Sequence, residues 1–269
     1  MAKLSLRTPG VDYYGQVVKE SSASMIEGLL EQFLESAKVK HSTVYLAETK
    51  QDAVDYILSL VKDEASVISH SRTLNEIGIA KALKEKGNKV VFSEVDEFAA
   101  DLLGVTDENL GKGVVWPKLT ATDLAGIYKE IGLTPPAKLN DEDILGVIKA
   151  YTRKYFKDAP FGISGATALV AETGTIVIQD NECNARLGTN MPPVHILVVN
   201  LDKIVPKLED AVAVLRADAD AEYGTQIATY LSFIGGPSRT GDIEFYMCDG
   251  MHGPMEVHVV IVTDGKIKK

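Results

Sequence analysis

The sequence predicts an α/β protein of three layers, α/β/α, with helices on both faces of a largely parallel central sheet. Short apolar runs alternate with longer helical patterns through the first third of the chain, the order that gives parallel strands joined by right-handed crossovers. Three more apolar runs, Ala166–Ala171, Thr175–Ile178 and Val194–Val199, crowd into the stretch from Phe161 to Asn200 and are bounded by Gly, Asn or Pro. With 269 residues, 45% of them hydrophobic and 25% charged, the chain is long enough and apolar enough to bury a sizeable core.

Taken in order, Tyr14, Val17, Val18, Met25, Ile26, Leu29, Leu30, Phe33, Leu34 and Ala37 form one apolar stripe at helical spacing. Residues 1–40 therefore read as an N-terminal helical extension, and 41–269 as a single domain. Thr43–Ala47 reads as a strand, Asp52–Val61 as a helix and Ala65–Ser69 as a second strand. Thr73 and Glu76 have capping-box spacing for a helix running to about Lys86, and Asn88–Ser93 follows as a third strand. Phe98–Leu103 and Thr122–Ile131 have helical patterns, while Gly113–Trp116 reads as a brief strand ended by Pro117. Asn140–Phe156 is helical behind an acidic first turn, which suits a helix N-terminus. Gly174 supplies a positive φ for a hairpin turn beside Glu172. Ile204–Arg216 reads as a helix with Pro206 in its first turn, and Tyr230–Ile234, Asp242–Met247 and Val257–Val262 are the closing strands.

Charge and composition exclude several function classes. Acidic residues outnumber basic ones by 38 to 28 and the pI is about 5.1, which disfavours nucleic acid or an anionic membrane as a partner. No apolar run reaches the ~18 residues of a membrane span, and the first residues, MAKLSLRTPGVDYYGQ, contain no apolar leader segment. The chain reads as cytoplasmic. Cys183 and Cys248 stand alone, so a disulfide framework, a zinc site and an iron–sulfur cluster held by this chain are all disfavoured. No metal ligands are assigned.

Polar residues collect in four loops behind apolar runs: Ser69–Thr73, Asp180–Arg186, Gly235–Thr240 and Asp249–Pro254. Ligands of open α/β sheets bind outside the carboxyl ends of the strands, so such loops are the natural site. Three of the six arginines, Arg72, Arg186 and Arg239, lie in them, and a guanidinium holds a carboxylate or phosphate through paired hydrogen bonds. With Ser71, Thr73, Asn184, Gly236, Ser238 and Thr240 they form the candidate set for a small anionic metabolite; the competing reading pairs the arginines with surface carboxylates. Glu172 and His252 are the candidate catalytic groups for nucleophilic or proton-transfer chemistry. Against that, Glu172 can equally pair with Arg186 or cap backbone amides, and His252 can be structural. His195 and His258 lie inside apolar strands and read as core or edge histidines, and Cys183 as a small filler.

GISGATALVAETGTIVI, NECNARL, PPVHILVV with IVPKLEDA behind it, YLSFIGGPSRTGDIE, HGP and VHVVIVTDG follow one another, with SHSRTLNEIGI upstream. In that order and spacing they resemble the lactate-utilisation (LUD) domain family, in its short, cluster-free type. The resemblance runs from about Asp52 to Gly265. It implies a fold similar to the CoA-transferase, ribose-phosphate-isomerase and glucosamine-phosphate-deaminase group. It also implies an accessory or substrate-handling subunit of an assembly that oxidises L-lactate to pyruvate, with iron–sulfur clusters carried by partner proteins and no evident cofactor in this chain. Three departures mark this sequence: NECNAR replaces a glycine-containing loop, Arg72 stands where lysine is common, and Pro135–Asp158 is long. Two other readings stay open: a free-standing CoA-transferase-like or sugar-phosphate-isomerase-like enzyme using Glu172, and a non-catalytic protein-binding module. The sequence does not fix the oligomeric state, and a homo-oligomer is compatible with it.

Overall fold

A computed structural model of the chain describes residues 23–105, 116–225, 227–243 and 246–267. Along these residues run α1 (Ala23–Val39), β1 (Thr43–Ala47), α2 (Lys50–Val61), β2 (Ser66–Ile68), α3 (Arg72–Ile77), α4 (Ile79–Glu85), β3 (Val90–Phe92) and α5 (Val95–Leu103). After a 3-10 turn at Trp116–Lys118 come α6 (Ala121–Glu130), α7 (Asp141–Asp158), β4 (Phe161–Ser164), β5 (Ala168–Val170) and β6 (Thr175–Asp180). The chain continues through α8 (Asn184–Asn190), β7 (Val194–Asn200), β8 (Ile204–Val205), α9 (Leu208–Tyr223), β9 (Tyr230–Ile234), β10 (Arg239–Ile243), β11 (Tyr246–Asp249) and β12 (Glu256–Val262).

The central sheet is parallel throughout and has the order β1-β12-β7-β4-β2-β3. Its middle strands are mostly apolar because both faces are covered, with Ser66, Ser164, His195 and His258 as buried polar exceptions. On one face Ala53, Ile57, Leu74, Ile79 and Leu83 of α2–α4 pack on Ile68, Ile163, Ile196, Val198 and Val260. On the other face α5–α7 cover β2 and β3 through Phe98, Leu124, Ile148 and Tyr151. Beyond them a second sheet, β8-β5-β6-β9, together with Leu30, Phe33 and Ala37 of α1, covers Leu197, Val199, Val257, Val259 and Ile261. The outer side of that second sheet buries Ala168, Val170 and Val177 under Ala211, Val214 and Leu215 of α9. The three-layer α/β architecture is therefore present, with an added sheet-and-helix layer over one half.

Local chemistry sets the element boundaries. Asn140 and Asp143 form a reciprocal capping box at α7, with the Asp143 amide donating to Asn140 Oδ1 over 3.0 Å. The helix expected to run from Thr73 to Lys86 is instead two helices, because Gly78 adopts φ 70° and ends α3. Its first cap is Ser71, whose hydroxyl accepts the Leu74 amide, rather than Thr73. Ile204 and Val205, expected in a helix, pair in parallel with Leu169 and Val170; two adjacent β-branched residues suit that buried edge, so the helix starts at Leu208, beyond Pro206. Of the strand expected over Asp242–Met247, Asp242 and Ile243 belong to β10 and Tyr246 and Met247 to the antiparallel β11, so it is not one strand. Trp116 lies in the 3-10 turn and not in a strand, while residues 113–115 and the start of the N-terminal stripe, Tyr14, Val17 and Val18, lie outside the described residues. No helix among the described residues is long and apolar enough to cross a membrane.

Strand order positions the site. From β2 the chain moves outward to the edge strand β3, whereas from β4 it moves the opposite way to β7. The carboxyl ends of β2 and β4 therefore flank the topological switch point, where open α/β sheets leave a crevice. The strands can sit this way because β4 and α8 touch backbone to backbone: a Cβ on Gly162 would stand 1.8 Å from the Gly188 carbonyl oxygen. Gly162→Ala is expected to destabilise the protein by roughly 3 kcal/mol through this clash. Gly126→Ala, at an exposed and open position of α6, is expected to stabilise it by roughly 0.5–1 kcal/mol. Urea denaturation of the two variants checks both signs.

Candidate active-site cleft

A cleft of about 720 Å³ opens at the switch point, within the size range of small-molecule sites. Its floor is the first residue beyond β2, Ser69, and the last residue of β4, Ser164. These lie side by side, one step past the register pair Ile68–Ile163, and the Ser69 amide donates to the Ile163 carbonyl over 2.9 Å. The loops behind the two strands also converge, because Gly165 has no side chain; a Cβ there would come within 2.2 Å of Ser71 Oγ. Ser69 is 3% exposed, and its hydroxyl has no hydrogen-bond partner among the described residues. The Ser164 hydroxyl lies 2.8 Å from Nε2 of His195, which is fully buried. Burial, with His258 nearby as a second cause, pulls the His195 imidazole down to about 4.

Carboxylates dominate the walls, and each has a donor. Glu94 accepts the Asp96 and Glu97 amides at 2.8 and 3.0 Å, capping α5. Burial nevertheless raises its pKa, with the nearby Glu182 and Glu97 adding to the rise. Glu97 binds His70 Nδ1 at 2.5 Å, Asp96 accepts the Trp116 amide, and Glu76 pairs with Lys50 at 3.1 Å. Asp180 accepts the Glu182 and Cys183 amides, which holds Cys183 at φ 67° and starts α8. Glu182 accepts from the Asn184 amide group, and Asp218 from that of Gln179. The cationic side chains of the cleft are Arg72 and Lys203. Lys203 stands in the turn beyond β7 and has no hydrogen-bond or ion-pair partner among the described residues. His70 is the histidine of the wall, oriented by a buried carboxylate.

The residues expected to form one site divide into separate groups. Ser71, Arg72, Thr73 and Asn184 line the cleft. Gly236, Ser238, Arg239, Thr240 and His252 do not. Their loops pair with each other through the Ser238–Pro254 and Gly250–Ser238 backbone bonds and lie where β7 and β12 begin, with the Met255 amide on the Pro193 carbonyl. That is the amino end of the sheet, opposite the cleft. There Gly236 packs against the Lys40 carbonyl, and Arg239 pairs with Asp249 across the hairpin at 2.9 Å. Glu172 is also outside the cleft: its carboxylate accepts the Leu208 amide at 3.0 Å and caps α9. Arg186 ties α8 to β9, donating to the Leu231 carbonyl at 2.6 Å and stacking on Tyr230. His195 and His258 are buried, as expected. Ser69 and His70 lie in the Ser69–Thr73 loop marked from sequence but were not among the candidate residues, and Ser164 and Lys203 were not singled out, although Ser164 ends β4 and Lys203 closes the turn beyond β7.

An α/β protein with a crevice at the switch point of a parallel sheet is the class that fold and site define. The LUD domain model matches residues 30–262, and the chain belongs to the LUD domain family. Lactate utilization protein B of Bacillus pumilus (strain SAFR-032) is 29% identical over 257 residues, covering 94% of this chain and 52% of that protein. The uncharacterized electron transport protein YkgF of Escherichia coli (strain K12) is 28% identical over 255 residues, with 93% and 51% covered. The chain thus spans about half the length of the curated relatives it matches. A solved DUF162-family protein from Deinococcus radiodurans aligns with a TM-score of 0.48 and 17% identity, over 88% of this chain and 98% of that one.

Two expectations follow from the geometry. Because the folded His195 value lies below the unfolded one, its ring stays neutral and its NMR resonances should not titrate between pH 8 and 5. The stability contributed by keeping it neutral is complete above about pH 6.5 and is lost as pH falls toward 4. Arg186→Ala should lower stability by ~1–2 kcal/mol in denaturant titrations while leaving ligand affinity at the cleft unchanged.

Proposed function

We propose that this chain is the substrate-handling part of a lactate-utilisation protein, binding L-lactate or pyruvate in the switch-point cleft. In this reading it serves an assembly that oxidises lactate with iron–sulfur partner proteins. The observation that carries the reading is Lys203, an ammonium group with no hydrogen-bond or ion-pair partner among the described residues, which lines the same cleft as Ser69 and Ser164 among carboxylates already occupied by donors. Such a frame suits a small monocarboxylate, held by Lys203 and Arg72. It repels the dense charge of a sugar phosphate or a CoA pyrophosphate. The names of the relatives, lactate utilization protein B and electron transport protein, support the same direction.

Oxidation of lactate to pyruvate releases two electrons and two protons, one from C2, which leaves to solvent, and one from the hydroxyl. In this chain His70, held by Glu97, is the group suited to receive the hydroxyl proton. The electrons pass to the iron–sulfur partners. Chemistry based on Glu172 draws no support from a carboxylate that caps α9 outside the cleft.

The test is a thermal-shift and calorimetric screen of the chain against L-lactate, pyruvate, ribose 5-phosphate, glucosamine 6-phosphate and acetyl-CoA. At ~100 times its dissociation constant a true ligand stabilises by roughly 2.7 kcal/mol. L-lactate or pyruvate should shift the transition, and Lys203→Met should abolish the shift. A response to a sugar phosphate or acetyl-CoA alone would sink the proposal.

A further inference from the structure

If the carboxylate of a ligand lies on the cations of the cleft, the serine floor meets a different atom. Ser69 and Ser164 occupy equivalent positions on adjacent strands and face the same way, on the side of the sheet that carries Val67 and Gly162. Both are at least nine-tenths buried, both border the cleft, and the Ser69 hydroxyl is unpartnered among the described residues. We infer that Ser69 and Ser164 clamp the oxygen on C2 of a bound 2-hydroxy or 2-oxo carboxylate, with His195 turning the Ser164 hydroxyl proton into the cleft. The inference rests on the reading of the cleft as a monocarboxylate site.

The direction of the Ser164–His195 bond decides what Ser164 offers. Nδ1 of His195 is buried with no hydrogen-bond partner among the described residues. A proton on Nδ1 would leave an N–H donor stranded away from water, and the Ser164 O–H would be spent on Nε2. A proton on Nε2 leaves only a lone pair unmatched. The Nε2–H then donates to Ser164 Oγ, and the serine O–H is free to donate to a ligand. A serine nucleophile activated by histidine is a poor account of the same pair. That chemistry needs a basic imidazole whose second nitrogen is oriented by an acceptor, whereas this ring is held neutral by burial and its second nitrogen has no hydrogen-bond partner among the described residues. His195 is thus a positioning residue and Ser164 a contact residue.

Two measurements test the assignment. In the free protein, long-range 15N–1H correlation of labelled histidine should show His195 protonated on Nε2; protonation on Nδ1 would overturn the inference. Calorimetry should show Ser164→Ala weakening L-lactate and pyruvate about tenfold, without changing the affinity for propionate, which has no oxygen on C2. His195→Leu should reproduce that loss, and His195→Gln, whose amide also donates at this position, should restore binding. Unchanged L-lactate affinity in Ser164→Ala would overturn the clamp and leave the proposed function standing. A wild-type chain that binds neither L-lactate nor pyruvate would remove the proposed function and the clamp together, whatever the tautomer.

Discussion

At Gly162 the backbone of β4 passes so close to Gly188 that no side chain fits between them, and much of the structure depends on that approach. It lets α8 lie flat on the sheet and lets His195, whose register partner is Gly162, occupy the space beside β4. It also brings Ser69 under Gly188, where a Cβ would meet its hydroxyl at 3.0 Å. A second close approach, Gly165 against Ser71, draws together the loops that follow β4 and β2. Strand pairing sets β2 beside β4, and three glycines, Gly162, Gly188 and Gly165, leave room for the close approaches around the shared cleft floor.

Electrostatics then shape what the floor can receive. Each carboxylate of the wall is tied to a donor; two of them, Glu94 and Asp180, take the backbone amides that start α5 and α8 and so serve as caps. Their charge remains, and the rise in the Glu94 pKa from burial and its acidic neighbours reflects it. Against this background the cleft has two cationic side chains, Arg72 and Lys203. The monocarboxylate proposed for this cleft rests on the balance of committed and uncommitted groups lining it, not on the overall charge of −10.

The opposite end of the sheet is built differently. There the β10–β11 hairpin carries the Arg239–Asp249 pair and exposes Tyr246 and Met247, and the loop that leads on to β12 exposes Met251 and Met255. Its glycines answer to packing: Gly236 at φ 115° abuts the Lys40 carbonyl, and Gly250 at φ 76° abuts Met255. Arg186, between the two ends, uses its guanidinium on the Leu231 carbonyl and the Tyr230 ring. An arginine in a polar loop is therefore no guide to a ligand until its neighbours are known.

Much of the fold was legible in the chain because its causes are local. Apolar spacing marked α2, α6 and α7 within a few residues, alternating strands and helices marked the parallel sheet, and ordered motifs marked the LUD domain family. Local cues misled where tertiary partners outweighed them: Ile204 and Val205 joined β5, and Gly78 split a helix whose pattern runs on. The site was only half legible. Ser71, Arg72, Thr73 and Asn184 lie where loops behind strands should lie, but a loop behind β9 looks the same in sequence as a loop behind β2. Which end of the sheet each loop reaches depends on strand order and direction, set by packing between residues more than a hundred positions apart. For that reason the sequence determined the layers and the family, and only the tertiary structure gathered Ser69, His70, Ser164 and Lys203 while sending Arg239 and His252 to the far end.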